Sequence, residues 1–236
     1  MTEINHKRYV IIVAGGNGAR MNTPVPKQFL KLDGRPILMH TINKFTETDP
    51  NIEIIIVIPQ EQVQHWESLC QEHGFHKPVK IAFSGESRFA SVKNGLDLVT
   101  EDSIVGVHDA VRPLVSSKTI IAAYKAAEMY GNAIPGVPIN DSIRQIESTR
   151  SIALDRSRYC AVQTPQCFRS DIIKKAYLQD YKYTFTDDAT VVEAMGEHIR
   201  LVDGNTENLK ITGPKDLIIA EALLKAEAHS FIPTKI

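Results

Sequence analysis

The chain has 236 residues, 27 basic and 28 acidic, with a formal charge of −1 and 43% hydrophobic content. That balance excludes a bulk nucleic-acid or membrane-surface binder, and a domain of this size buries roughly 70% of its unfolded surface, so it needs no disulfide or metal staple. Cys70, Cys160 and Cys167 lack metal-ligand spacing, the opening MTEINHKRY has no apolar h-region, and no run approaches a membrane span. These features predict reduced thiols in a cytoplasmic protein with neither signal peptide nor transmembrane helix.

The first element is a strand over Tyr9–Ala14, and it runs straight into glycines: VIIVAGGNGARMNTPVPKQFLKLDGRPIL. GNGARM starts like a dinucleotide fingerprint but has Met21 where the third glycine belongs, and no Gly-Lys-Ser/Thr follows, so the Walker pattern fails too. What remains is a nest of backbone amides beside Arg20 and Lys27, suited to phosphate oxygens. The competing reading is a glycine-rich turn with two solvated cations. Pro24 and Pro26 favour the phosphate site, because they stiffen the segment carrying Lys27. Asp33 is expected in a turn, Leu32-Asp33-Gly34-Arg35.

Helical patterns follow near Pro36–Thr46, Gln60–His73, Phe89–Val99 and Ser117–Tyr130, the last capped by Ser116 and ended by Gly131. Strands are expected at Ile52–Ile58, Lys80–Phe83, Ile104–His108 and Ala133–Val137. Runs such as IEIIIVI lack alternation, as strands covered on both faces do. The rhythm breaks between Ile139 and Arg158, a polar stretch too long for an ordinary connection. It reads either as a solvated loop or as an arm that packs on a partner subunit. Helices near Asp171–Leu178 and Asp187–Met195, the latter ended by Gly196, a strand at Ile199–Val202 and a last helix from about Pro214 to Ala228 complete the chain. The expected fold is one α/β Rossmann-like domain spanning 1–236. Its mostly parallel sheet carries helices on both faces, with an arm at about 139–158 and ligands beyond the carboxyl ends of the strands.

Four segments in order, AGGNGARMNTPVPKQFLKLDGRPIL, VHDAVRPLV, ALDRSRYCAVQTPQCF and FTDDATVVEAMGEHIRLVDGNTENLKITGPKDL, resemble the 2-C-methyl-D-erythritol 4-phosphate cytidylyltransferases of the non-mevalonate isoprenoid route. The resemblance runs from about Tyr9 to Leu224. It implies a nucleotidyltransferase that joins CTP to a polyol phosphate and releases pyrophosphate. It also implies that Arg20, Lys27 and Lys210 are catalytic, stabilising charge on the reacting phosphates. Ala14, Gly15, Gly16, Asn17, Gly18, Gly85, Glu86, Ser91 and Ala110 would line the CTP site, with Arg88 close by. Ser91 read by itself would be a helix-surface serine. Asp109 would hold Mg2+ (or another divalent cation) and, with Arg112, Asp141, Thr164, Thr186 and Asp187, face the acceptor. The same resemblance makes the enzyme a homodimer with shared active sites, in which Arg156 of the arm reaches the acceptor phosphate of the neighbouring subunit. Two alternatives stay open: the same chemistry on ribitol 5-phosphate, and, more distantly, a nicotinamide-dependent Rossmann oxidoreductase.

Overall fold

A computed structural model describes residues 6–16 and 25–230. Strand β1 (Lys7–Val13) is an inner strand of the sheet. A short 3-10 turn, Lys27–Phe29, leads to a hairpin of β2 (Lys31–Leu32) and β3 (Arg35–Pro36), then helix α1 (Ile37–Thr48). The hairpin turn is the expected one: Asp33 and Gly34 both have positive φ, 47° and 77°, the requirement of a two-residue turn that follows strand twist. Next come β4 (Glu53–Ile58), α2 (Val63–Glu72), β5 (Lys80–Phe83), α3 (Arg88–Leu96), β6 (Ser103–Asp109), α4 (Ser117–Tyr130) and β7 (Asn132–Pro138). Strands β5, β4, β1 and β6 pair in parallel in that order.

Continuous apolar runs form β1, β4 and β6 because both faces are covered, whereas β5 at the sheet edge is largely exposed. Successive residues of β1 point to opposite sides: Val10 and Ile12 join Phe29, Leu38, Phe45 and Trp66, while Tyr9 and Ile11 join Phe89, Val92 and Tyr177. Helix α4 has the predicted bounds because its ends are chemically marked. The Ser116 hydroxyl accepts from the Thr119 amide, and Gly131 takes the left-handed conformation at φ 94°.

The second half departs from a simple alternation. Strands β10 (Cys160–Val162) and β11 (Gln166–Arg169) run antiparallel along β7 in succession, and β11 inserts between β7 and β6. Between them lies Thr164–Pro165, a cis peptide. Helices α5 (Ser170–Ala176) and α6 (Asp188–Glu193), strand β12 (Leu201–Asp203) on β7, and helix α7 (Pro214–Ser230) complete the described chain. Residues 139–158, expected to lack regular structure, contain an exposed hairpin of β8 (Arg144–Ile146) and β9 (Ser151–Ala153). Its strands, RQI and SIA, are three residues long, too short for an alternating pattern to mark them. No helix of the described residues is long and apolar enough to cross a membrane.

Candidate active site

The carboxyl ends of β1 and β6 lie side by side: Val13 is in register with Asp109, and the Ala110 amide donates to the Val13 carbonyl at 3.1 Å. Beyond them opens a cavity of about 240 Å³ lined by Ala14, Gly15, Gly16, Lys27, Gly85, Glu86, Arg88, Ser91, Asp109, Ala110 and Lys210, among others. The predicted CTP residues and two of the predicted catalytic cations therefore share one chamber. Asn17, Gly18 and Arg20 lie outside the described residues.

Each wall is built locally. The Lys27 turn is pinned by its neighbours: Gln28, nearly fully buried, donates to the Ala14 carbonyl at 2.7 Å and to Gln62 Oε1 at 2.9 Å. Phe29 packs on Trp66 and His65. Lys27 is thereby held over Gly16, its Cε 3.6 Å from where a Cβ at position 16 would stand. The opposite wall begins at Ser87, which caps α3 by accepting from the Ala90 amide. Ser91 is buried, contrary to the helix-surface reading. Its hydroxyl accepts from the Gly85 amide at 3.0 Å and donates to the Ser87 carbonyl at 2.9 Å, which folds the 84–88 loop against the helix.

Asp109 is the charge centre. Arg112 Nε and Lys210 Nζ both approach Oδ2, at 3.0 Å and 3.1 Å. Burial works to raise the Asp109 carboxyl, but Lys210, Arg88 and Arg112 outweigh it and hold the group well below the ordinary carboxylate range. Arg88 is fixed by a two-pronged pair with Asp188, 3.0 Å and 2.6 Å, and Asp188 also accepts from the Tyr177 hydroxyl at 2.6 Å. A carboxylate with no exposure is tolerated there because every charge has partners.

The predicted acceptor residues divide. Arg112 is held by Asp109 and by the Asn208 carbonyl, which accepts from Nη1 at 2.7 Å. Thr164 is buried beside it: its hydroxyl oxygen accepts from the Asp109 amide at 3.1 Å. Asp187 caps α6 and accepts from Gln166 at 2.8 Å, whereas Thr186 is exposed on the preceding loop. Asp141 and Arg156 are not brought to this cavity within the chain. Arg156 donates to the Asn140 carbonyl and lines a separate, larger cleft of about 480 Å³ with Val137, Tyr159, Cys160 and Asp203. Sequence reasoning missed Gln28, His108, Asn208 and the Arg88–Asp188 pair. Apart from the Arg112 carbonyl that faces His108, their partners are carbonyls or side chains far along the chain, which leave no local signal.

Gly15 carries a steric constraint. A Cβ there would stand 2.5 Å from Ser84 Oγ and 3.1 Å from Ser84 Cβ, and that hydroxyl is buried without a partner. Gly15→Ala should push the glycine loop outward and raise the Michaelis constant for the nucleotide about tenfold, since overpacking of this kind costs on the order of 1–3 kcal/mol. Gly15→Ala with Ser84→Gly should recover most of that loss, and a double-mutant cycle measures the coupling. Equal effects with and without Ser84→Gly would remove the steric explanation.

The chain as a whole is similar to known proteins of one family. The model of the family described as 2-C-methyl-D-erythritol 4-phosphate cytidylyltransferase matches residues 9–226. The protein of that name from Bacteroides thetaiotaomicron is 48% identical over 218 residues, 92% of this chain and 100% of the relative. Its counterpart from Porphyromonas gingivalis is 45% identical over 223 residues, 94% and 99% of the two chains. The crystal structure of the Francisella tularensis cytidylyltransferase superimposes with a TM-score of 0.74 at 31% identity, covering 92% of this chain and 99% of that one.

Proposed function

The chain belongs to the 2-C-methyl-D-erythritol 4-phosphate cytidylyltransferase family, and from that premise we propose which of its residues carry the reaction. The cytidylyl group of CTP moves onto 2-C-methyl-D-erythritol 4-phosphate, a step of isoprenoid precursor synthesis. An acceptor phosphate oxygen forms a bond to the α-phosphorus. The bond from that phosphorus to the bridging oxygen breaks, and pyrophosphate leaves with the electron pair. The ribitol 5-phosphate and nicotinamide readings find no support in the relatives.

The obstacle is the approach of one anion to another, so the protein's contribution is positioning and charge. The observation that carries this reading is the convergence of Lys27, Lys210 and the Gly15–Gly16 amides on one cavity at the ends of β1 and β6. The loop amides and Lys27 take the CTP phosphates, and Lys210 stabilises charge at the α-phosphorus. Ser91 holds the Gly85–Arg88 loop as the wall for cytosine and ribose. Arg112, Thr164, Thr186 and Asp187 belong to the acceptor side.

Among the described residues no group of three or more His, Cys, Asp or Glu side chains forms a metal cage. A single buried carboxylate facing a phosphate site fits Mg2+, which keeps waters and substrate phosphates as its other ligands. Asp109 would hold it, and the ion would supply charge neutralisation on the phosphates.

Two subunits complete one site in this proposal, with Arg156 and Asp141 of the arm facing the neighbour's acceptor. The support is that Arg156 does not line its own chain's cavity and stands exposed in a 3-10 turn at the end of the arm. Arg suits a dianionic phosphate because its fork donates two hydrogen bonds. Pyrophosphate release from CTP with 2-C-methyl-D-erythritol 4-phosphate is the assay. Arg156→Ala should raise the Michaelis constant for the acceptor far more than that for CTP. Inactive Lys27→Ala subunits mixed with inactive Arg156→Ala subunits should regain activity, because the heterodimer holds one site with both defects and one with neither. No recovery, with subunit exchange confirmed separately, would leave the arm without a catalytic role.

A further inference from the structure

We propose that His108 is a positioning residue for the acceptor half of the cavity, a buried bridge that holds the Arg112 loop on one side and Thr164 on the other. The assignment of that half rests on the function proposed above, but the bridge itself is read from geometry. His108 is fully buried on β6, next to Asp109, with its ring edge-on to Phe45 at 4.9 Å. Packing alone would be served as well by leucine. The imidazole adds two hydrogen bonds. Nε2 lies 3.1 Å from the Arg112 carbonyl, which can only accept, so Nε2 carries the hydrogen. Nδ1 lies 2.9 Å from the Thr164 hydroxyl, whose oxygen already accepts from the Asp109 amide. A hydroxyl that accepts from the amide keeps its own hydrogen to donate, and with the ring hydrogen on Nε2 the bare Nδ1 accepts it.

A closed relay results. It runs from the Asp109 amide through the Thr164 hydroxyl and the His108 ring to the Arg112 carbonyl. Asn208, also fully buried, closes the other side: Nδ2 donates to the Thr164 carbonyl at 2.9 Å, and its own carbonyl accepts from Arg112 at 2.7 Å. Two residues later the chain delivers Lys210 to Asp109. Three segments distant in sequence, 108–112, 163–164 and 208–210, are thereby locked around one carboxylate. A polar group would be costly in this apolar layer unless fully paired, and here both ring nitrogens are.

The test replaces the ring by an apolar side chain of similar reach. His108→Leu should stay folded by circular dichroism, raise the Michaelis constant for the acceptor about 10-fold to 100-fold, as lost orienting groups do, and leave the constant for CTP within about twofold. His108→Gln, which keeps a donor for the Arg112 carbonyl, should recover part of that loss. If His108→Leu does not fold, the test passes to Thr164→Val, which removes the hydroxyl shared by Nδ1 and the Asp109 amide and is read by NMR alone, because Thr164 itself faces the acceptor. Nitrogen-15 NMR of the imidazole in wild-type protein should show a hydrogen on Nε2 and a bare Nδ1, with the Nδ1 signal moved by Thr164→Val. Unchanged acceptor constants in folded His108→Leu, or equal rises for both substrates, would overturn the proposal, as would a hydrogen on Nδ1. The NMR arm needs no substrate, so it reports on the bridge even if the acceptor assignment fails.

Discussion

Lys27→Ala should lower kcat by about 10²–10³, the usual loss when one donor that stabilises developing charge is removed, with the fold intact. The separation of the two effects follows from how the 3-10 turn is anchored. Gln28 and Phe29 are buried and hold the turn to the end of β1 and to α2, whereas Lys27 is only partly buried and crosses over Gly16. Truncating it removes charge from the cavity and nothing from the core. Rates from pyrophosphate release, set beside circular dichroism and a urea midpoint, check this. Turnover within a few-fold of wild type would mean that the charge facing Gly16 has no part in the chemistry.

Asp109→Asn is expected to be at least as damaging, for a different reason. The carboxylate is the shared partner of Arg112 and Lys210. Neutralising it leaves Arg112, itself largely buried, without its anion; removing one member of a buried pair costs about 3–5 kcal/mol. The lower end applies, because the Lys210 side chain is 41% exposed and water screens it. Two readouts should move together: the urea midpoint falls, and activity requires more Mg2+, since the buried carboxylate proposed to hold the ion has lost its charge. A wild-type curve of rate against Mg2+ concentration would reduce Asp109 to a structural ion-pair partner.

How much of this was legible in the sequence depends on the range of the interaction. The parallel strands β1, β4 and β6 were legible because burial on both faces imposes unbroken apolar runs, and α4 was legible because Ser116 and Gly131 mark its ends. Strand β11 was not: QCFR has two apolar residues, and its place between β6 and β7 is set by pairing with residues about sixty and thirty-five positions away. The same holds at the site. Lys27, Asp109 and Lys210 stand in motifs with a family meaning. The groups that fix them, Gln28, His108, Asn208 and Asp188, act through carbonyls, a hydroxyl or a guanidinium, most of them remote in sequence, and such bonds leave no periodicity to read. Ser91 shows what the residue taken by itself would have hidden. A serine on α3 looked like a surface residue, and the fold buries it because its hydroxyl satisfies both ends of the 85–87 loop.

The central claim is that this cavity joins CTP to 2-C-methyl-D-erythritol 4-phosphate. The most direct measurement presents that acceptor and ribitol 5-phosphate together, at equal concentration, with CTP and Mg2+, and identifies the CDP-alcohol by mass. The expected result is 4-diphosphocytidyl-2-C-methyl-D-erythritol as the dominant product with one pyrophosphate released per product, and its formation lost in Lys27→Ala. A predominance of CDP-ribitol, or product formation that survives Lys27→Ala at the wild-type rate, would contradict it.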